Sequence, residues 1–191
     1  MTTVLVLAER DSSNGTVKKT TLELLTLARR LGEPQVVWFG DQGSEAASVL
    51  GEYGASAVHV VTGQDMADHP VVPMVDVLQA LVAELDATAV LVPSSADGKE
   101  AAGRLAVRIG SGVITDAVDI SESGVATQSV FGGSTVVHST VTHGIGIYTV
   151  RPNSVAPEPA PTTCSVIDVD STVSEAAKTA RVVERTVAGK G

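Results

Sequence analysis

The chain has 191 residues, 43% of them hydrophobic and only 3% aromatic, enough for one domain whose core must be built from Val, Leu, Ile and Ala. Its 13 basic and 22 acidic residues leave a formal net charge of −9. That balance argues against a nucleic-acid partner, which clustered Lys and Arg would hold, and against an anionic membrane surface.

The first apolar run, Val4-Leu5-Val6-Leu7, does not alternate with polar residues. Such a run fits a strand buried on both faces. Residues 17–31 then carry Leu24, Leu27, Ala28 and Leu31 on one helical stripe, and Gly32 stops it. A second run, Val36-Val37-Trp38-Phe39, is followed by a short helical pattern over 44–50, and a third run is Ala57-Val58-His59-Val60-Val61. Residues 73–85 place Val77, Leu78, Leu81, Val82 and Leu85 at helical spacing, with Pro73 in the first turn. The fourth run is Ala89-Val90-Leu91-Val92. The helix over 97–109 is read as opening on an Asp-x-x-Glu capping box, Asp97 with Glu100, and as ending at Gly110. Strand and helix in strict alternation predict right-handed βαβ units and a parallel sheet flanked by helices, with residues 4–7 and 89–92 central.

The second half changes character. Residues 113–120, 124–130, 134–142 and 144–150 are strand-like, separated by the turn signals Glu122-Ser123-Gly124, Gly132-Gly133 and His143-Gly144. Antiparallel strands joined by tight turns, added to the parallel sheet, are the natural reading. Residues 151–161 hold Pro152, Pro157, Pro159 and Pro161 and read as an extended surface loop. Two further strands are expected over 164–169 and 181–187. The whole is an α/β domain over 1–187, and 188–191, Ala-Gly-Lys-Gly, read as the start of a linker.

Cys164 is the single cysteine, so no intrachain disulfide forms, and it reads as a small apolar residue rather than a reactive thiol. The chain opens on a strand-like run without the regions of a signal peptide, and no apolar window is long enough to span a membrane. Asn14-Gly15-Thr16 fits a glycosylation sequon but reads as a turn. A reducing cytoplasm is the expected compartment.

Motifs that carry chemistry are few. After the first strand, Ala8-Glu9-Arg10-Asp11-Ser12-Ser13-Asn14-Gly15 has neither a dinucleotide G-x-G-x-x-G nor a P-loop, and Ser12 and Ser13 alone make a poor phosphate turn. The best candidate small-ligand site is Pro93-Ser94-Ser95-Ala96-Asp97-Gly98-Lys99, at the carboxyl end of a strand and the N-terminus of a helix. Free N–H groups there could hold an anion, whereas Asp97 would repel one. His138 and His143 are five apart and face opposite ways unless a turn intervenes. His59 lies in a buried run and His69 precedes Pro70 in a loop. No metal motif appears, and Ser94 and Ser139 lack a nucleophile elbow. No catalytic, cofactor-binding or metal residue is assigned, and the chain is read as no enzyme in its own right.

Several segments together resemble a known family. They are Val4-Leu5-Val6-Leu7-Ala8-Glu9, the helix over 21–32, the stretch from Asp97-Gly98-Lys99-Glu100-Ala101-Ala102-Gly103-Arg104-Leu105-Ala106 to Gly112-Val113-Ile114-Thr115-Asp116-Ala117, and Ile147-Tyr148-Thr149-Val150-Arg151-Pro152. In this order they resemble the N-terminal domain of the alpha subunit of electron transfer flavoproteins, over essentially the whole chain. The resemblance implies a Rossmann-like α/β fold, with a similar beta subunit as heterodimer partner. It implies an electron carrier between dehydrogenases, typically acyl-CoA dehydrogenases of fatty acid beta-oxidation, and a membrane-associated quinone oxidoreductase. It also implies FAD held mainly by a second, C-terminal domain of the alpha subunit. AMP in this family belongs to the beta subunit. The chain ends at Gly191, where that flavin domain should begin, so no flavin-binding residue is carried over and the end reads as cut from a longer subunit. The alternatives are a stand-alone adenine-nucleotide-binding domain, which would need a Gly- and Ser-rich phosphate loop, and a small hydrolase using Ser94 or a histidine. The partner surface is expected within 113–161, with 17–31 largely outside it.

Overall fold

The computed structural model describes residues 2–11, 14–170, 172–184 and 186. The four apolar runs form β1 (Thr3–Leu7), β2 (Glu33–Phe39), β3 (Ala57–Val61) and β4 (Ala89–Pro93). The helices between them are α1 (Lys19–Leu31), α2 (Gly43–Glu52), α3 (Gln64–Asp68) and α4 (Val72–Glu84), and α5 (Ala96–Ile109) follows β4. β1 pairs in parallel with β2 on one side and β4 on the other. Side chains alternate between two apolar layers: Val4, Val6, Val36, Trp38 and Leu91 meet Leu24, Leu27, Ala28 and Leu50 of α1 and α2. Leu5, Leu7, Val37, Val90 and Val92 meet Leu78, Leu81, Ala101 and Leu105 of α4 and α5. Helices on both faces explain why the runs over 4–7 and 89–92 are apolar at every position.

Boundaries shift where local hydrogen bonds compete. α1 starts at Lys19 rather than 17, because Val17 bridges back to Arg10 across the preceding turn. Asn14 Oδ1 accepts from the N–H and the hydroxyl of Thr16 at 3.0 and 2.8 Å, which supports the turn reading of that sequon. Ser12 and Ser13 lie outside the described residues. α3 was not foreseen, since Gln-Asp-Met-Ala-Asp offers no apolar stripe, and His69 caps it.

In the second half, β5 (Val113–Ile120), β6 (Ala126–Val130) and β7 (Thr135–Ser139) form the expected antiparallel addition. The strand over 144–150 corrects that reading: β8 (Gly146–Val150) does not pair with β7 but inserts between β4 and β5, parallel to both. Its buried run Ile147-Tyr148-Thr149-Val150 needs cover on both faces, which an edge position would not give. The His143-Gly144 turn serves this crossing. Gly144 has φ +72, and a Cβ there would come 2.2 Å from Ser111 Oγ, so a side chain is excluded. With β9 (Ser165–Val169) the nine-stranded sheet runs β7-β6-β5-β8-β4-β1-β2-β3-β9.

The proline-rich stretch is mostly exposed, as expected, but it turns at 152–155, with Asn153 at φ 61, before running on, and it is not separate from α1. The Asn153 N–H donates to Glu23 Oε2 at 2.9 Å and the Glu158 N–H to Thr26 Oγ1 at 3.0 Å. The N–H groups of Ala160 and Thr162 then reach the carbonyls of Glu52 and Gly51, both at 2.9 Å. The stretch thus straps α1 and α2 and delivers β9 to the free edge of β3, in parallel. Residues 181–184 form no strand, contrary to expectation; 172–184 run back over α3 and α4. There the Val182 N–H donates to the Asp68 carbonyl at 2.8 Å, His69 Nδ1 to the Ala180 carbonyl at 2.7 Å, and Lys178 pairs with Asp65 at 3.0 Å. Residues 188–191, read as a linker, lie outside the described residues. Among the described residues no helix is long and apolar enough to cross a membrane.

Asp76 joins α4, α5 and this returning segment, accepting from Arg108 Nη1 and from the Ser174 N–H. Burial alone would raise its pKa, but the Arg108 and Ser174 hydrogen bonds and the Arg108 charge hold it below the usual 3.8. A carboxylate depressed in the folded state stabilises above its ordinary value, and that stabilisation is lost as pH falls through the folded pKa. Asp76→Asn is therefore expected to cost about 1–3 kcal/mol at neutral pH. It should also flatten the fall in thermal midpoint below about pH 4, measured by calorimetry across a pH series.

Candidate functional site

The carboxyl ends of β4 and β8 meet the middle of β5, and a polar network forms there. Ser94, just after β4, donates from Oγ to Asp116 Oδ1 at 2.8 Å and meets Thr149 Oγ1 of β8 at 2.6 Å. Thr149 Oγ1 accepts the Asp116 N–H at 2.9 Å. Lys99 Nζ, one turn into α5, reaches the two Asp116 carboxylate oxygens at 2.8 and 2.9 Å. Asp116 has φ 56, and the β5–β8 register shifts between Ile114 and Ala117. Asp tolerates that left-handed conformation better than most residues, and the kink turns its carboxylate toward Ser94. Burial would raise the Asp116 pKa, but hydrogen bonds from Lys99 and Ser94 and the charges of Lys99 and Arg151 hold it low. The group is a fixed anion at working pH.

The α5 N-terminus differs from expectation. Ser95, not Asp97, is the N-cap: its Oγ accepts from the Gly98 N–H at 3.2 Å. The helix starts one residue early, so Asp97 points to solvent, and Glu100 pairs with Arg104 at 2.8 Å instead of closing a box. A Cβ at Gly98 would lie 2.0 Å from the Pro93 carbonyl oxygen, so α5 begins hard against the end of β4. Gly98→Ala is expected to push α5 away and destabilise the chain by about 1–3 kcal/mol, read from urea midpoints. A neutral outcome would mean that α5 does not start against β4.

Beside the network lies an open cleft of about 550 Å³, lined by Thr115, Asp116, residues 128–133 and Arg151. Gln128 Nε2 donates to the Thr115 carbonyl at 2.7 Å and Arg151 Nη2 to the Ser129 carbonyl at 2.8 Å. At the end of β1, the Glu9 carboxylate takes Lys18 Nζ at 2.9 Å and the Thr20 hydroxyl at 2.8 Å, next to the start of α1. The N-termini of α1 and α5 therefore each have a carboxylate close by. A pyrophosphate or AMP phosphate would meet acceptor carboxylates of its own charge there, which does not suit it. What the network does is bind β4, β5, β8 and α5 into one rigid unit.

The remaining sequence candidates lie apart. His59 on β3 is buried, its Nε2 2.7 Å from Gln35 Oε1, and burial pushes its pKa down against a smaller upward effect of Glu84. It is a neutral core side chain. His69 follows α3. β7 ends at Ser139, and irregular chain over 140–142 leads from it to His143, so the two histidines do not share a strand. His138 Nδ1 lies 3.2 Å from Thr127 Oγ1, and Ser139 Oγ donates to Gln128 Oε1 at 2.9 Å. Burial pushes the Cys164 thiol up, away from a reactive thiolate. Sequence reasoning named Ser94 and Lys99 but missed Asp116 and Thr149. Their signal was a polar residue interrupting each apolar strand pattern.

The electron transfer flavoprotein domain family matches residues 4–189. The electron transfer flavoprotein subunit alpha of Mycobacterium tuberculosis (strain ATCC 25618 / H37Rv) is 43% identical over 162 residues, 84% of this chain and 50% of that protein. That of Mycobacterium leprae (strain TN) is also 43% identical over 162 residues, with the same coverage, 84% and 50%. That of Syntrophomonas wolfei subsp. wolfei is 30% identical over 146 residues, 74% of this chain and 46% of that protein. The chain spans about half the length of the curated relatives it matches. A family match across nearly every residue of the sheet and its helices places the chain in the electron transfer flavoprotein family.

Proposed function

We propose that this chain is the scaffold and partner-binding domain of an electron transfer flavoprotein alpha subunit, working in the cytoplasm. With a beta subunit it would serve an electron carrier between dehydrogenases, acyl-CoA dehydrogenases among them, and a quinone oxidoreductase. The domain spans 1–187, and 188–191 begin a linker to a C-terminal half that holds most of the FAD. The chain supplies no active site of its own. The observation that carries this reading is the family match over 4–189, together with relatives named alpha subunit of which the chain covers about half. The carboxylates at the helix N-termini support a packing role for this half and count against the adenine-nucleotide alternative. The bonds of Asn153 and Glu158 to α1 support narrowing the proposed partner surface from 113–161 to 113–150.

Two measurements test this. The purified chain is expected to be colourless, and FAD titration should give no saturable change; a stoichiometric flavin absorbance band from this chain alone would sink the assignment. Hydrogen exchange with and without the beta subunit is expected to show new protection within 113–150. Protection confined to α1 would overturn the placement of the partner surface.

A further inference from the structure

We infer that the β6–β7 hairpin is a strand-addition interface: the free edge of β7 pairs with an uncharged edge strand of a partner subunit less acidic than this chain. This inference rests on the partner-binding reading above.

The first observation is charge. In a chain of net −9, residues 123–150 contain no Asp, Glu, Lys or Arg. The second is position. β7 is the terminal strand of the sheet and, among the described residues, pairs only with β6, which leaves a row of its backbone donors and acceptors unpaired. Proteins ordinarily guard such an edge with a charge or a proline. The opposite edge strand, β9, carries Asp168, but β7, Thr-Val-Val-His-Ser, carries no formal charge and no proline. The third is exposed apolar surface. Phe131 is 84% exposed, Val136 59% and Val137 37%. Phe131, Gly132 and Gly133 all have positive φ (51, 67 and 92), a turn that holds the phenyl ring outward. For Phe this conformation is strained, and strain of this kind gathers at binding sites.

Two considerations choose the occupant. A second copy would bring another net charge of −9 to the same interface. A two-fold pairing of β7 with itself would also match only five residues a side, against roughly 20–30 in a stable interface. A different subunit can add backbone hydrogen bonds along β7 and continue past it onto the polar cleft at Gln128. Neutral side chains on the partner strand are required, because any charge set against Val136 or Phe131 would lose water with nothing to pair with.

The test uses the complete alpha subunit that carries this chain, with its cognate beta subunit as probe and calorimetric titration as readout. Phe131→Asp and Val136→Lys are each expected to weaken binding at least about tenfold, and together about a hundredfold. Thermal midpoints should be unchanged, since both sites are exposed. Val107→Lys, at an 84% exposed position on α5, should bind as the wild type does. Wild-type affinity in the double variant would overturn this inference while leaving the partner-binding reading intact. Self-association of the alpha subunit that the same substitutions abolish would also overturn it, by showing a second copy on β7. If the wild type itself does not bind the beta subunit, the partner-binding reading fails and this inference falls with it.

Discussion

Leu91→Asp is expected to leave no folded chain. Leu91 lies in β4, fully buried, opposite Val6 of β1 on one side and Tyr148 of β8 on the other. Its side chain enters the apolar layer under α1, among Val4, Val6 and Leu24. A carboxylate there would sit among apolar side chains and must either shed its hydration or take up a proton. Either way the cost is several kcal/mol, a large part of the roughly 5–15 kcal/mol that holds a domain of this size together. Far-UV circular dichroism and gel filtration should show an unfolded or aggregated species. Leu91→Ala keeps the site apolar and should cost about 2–5 kcal/mol while still folding. A cooperative transition for Leu91→Asp within about 1 kcal/mol of the wild type would contradict the central position of β4.

Trp38→Ala should be the next most damaging change. Trp38 is the only tryptophan, is 1% exposed, and donates from Nε1 to the Asp41 carbonyl at 3.0 Å. It sits where β2 gives way to α2. The fit is tight enough that a Cβ on Gly43 would meet Trp38 Cδ1 at 2.9 Å and Val60 Cγ2 at 2.6 Å. Removing the indole opens a large cavity and orphans a carbonyl, so a loss of about 3–5 kcal/mol is expected in urea titration. Trp38→Phe keeps most of the packing and loses mainly the N–H, which should cost nearer 1 kcal/mol. Equal losses for the two would mean that the hydrogen bond, rather than the packing, dominates at this position.

The parallel half of the fold was legible because burial on both faces writes itself into composition. Val4 to Leu7 and Ala89 to Val92 can be apolar at every position only if helices cover both sides. β8 was harder to place. Its run is as apolar as that of β4, but the turn signal before it, His143-Gly144, fits a hairpin as well as a crossing. What decides is the empty place beside β4 after α5 has carried the chain over to β5, and that is a tertiary fact. The same insertion brings Thr149 beside Ser94 and Asp116, so a network built from β4, β5 and β8 could not be assembled from a linear reading that had β8 elsewhere. The cap of α5 turned on one residue: Ser95 and Asp97 are both good caps, and Gly98 packing against Pro93 favours the earlier start. The returning segment over α3 and α4 is held by the carboxylates of Asp65, Asp68 and Asp76, which look like ordinary solvated charges in sequence.

Function on this account enters through assembly, and the assembled species can be weighed directly. The chain would be co-expressed with the cognate electron transfer flavoprotein beta subunit and its native mass measured. An equimolar complex of the two chains, with no FAD attached to this chain when it is isolated from that complex, is the predicted result. A chain that stays alone at every concentration tested, or that retains a full equivalent of FAD by itself, would contradict it.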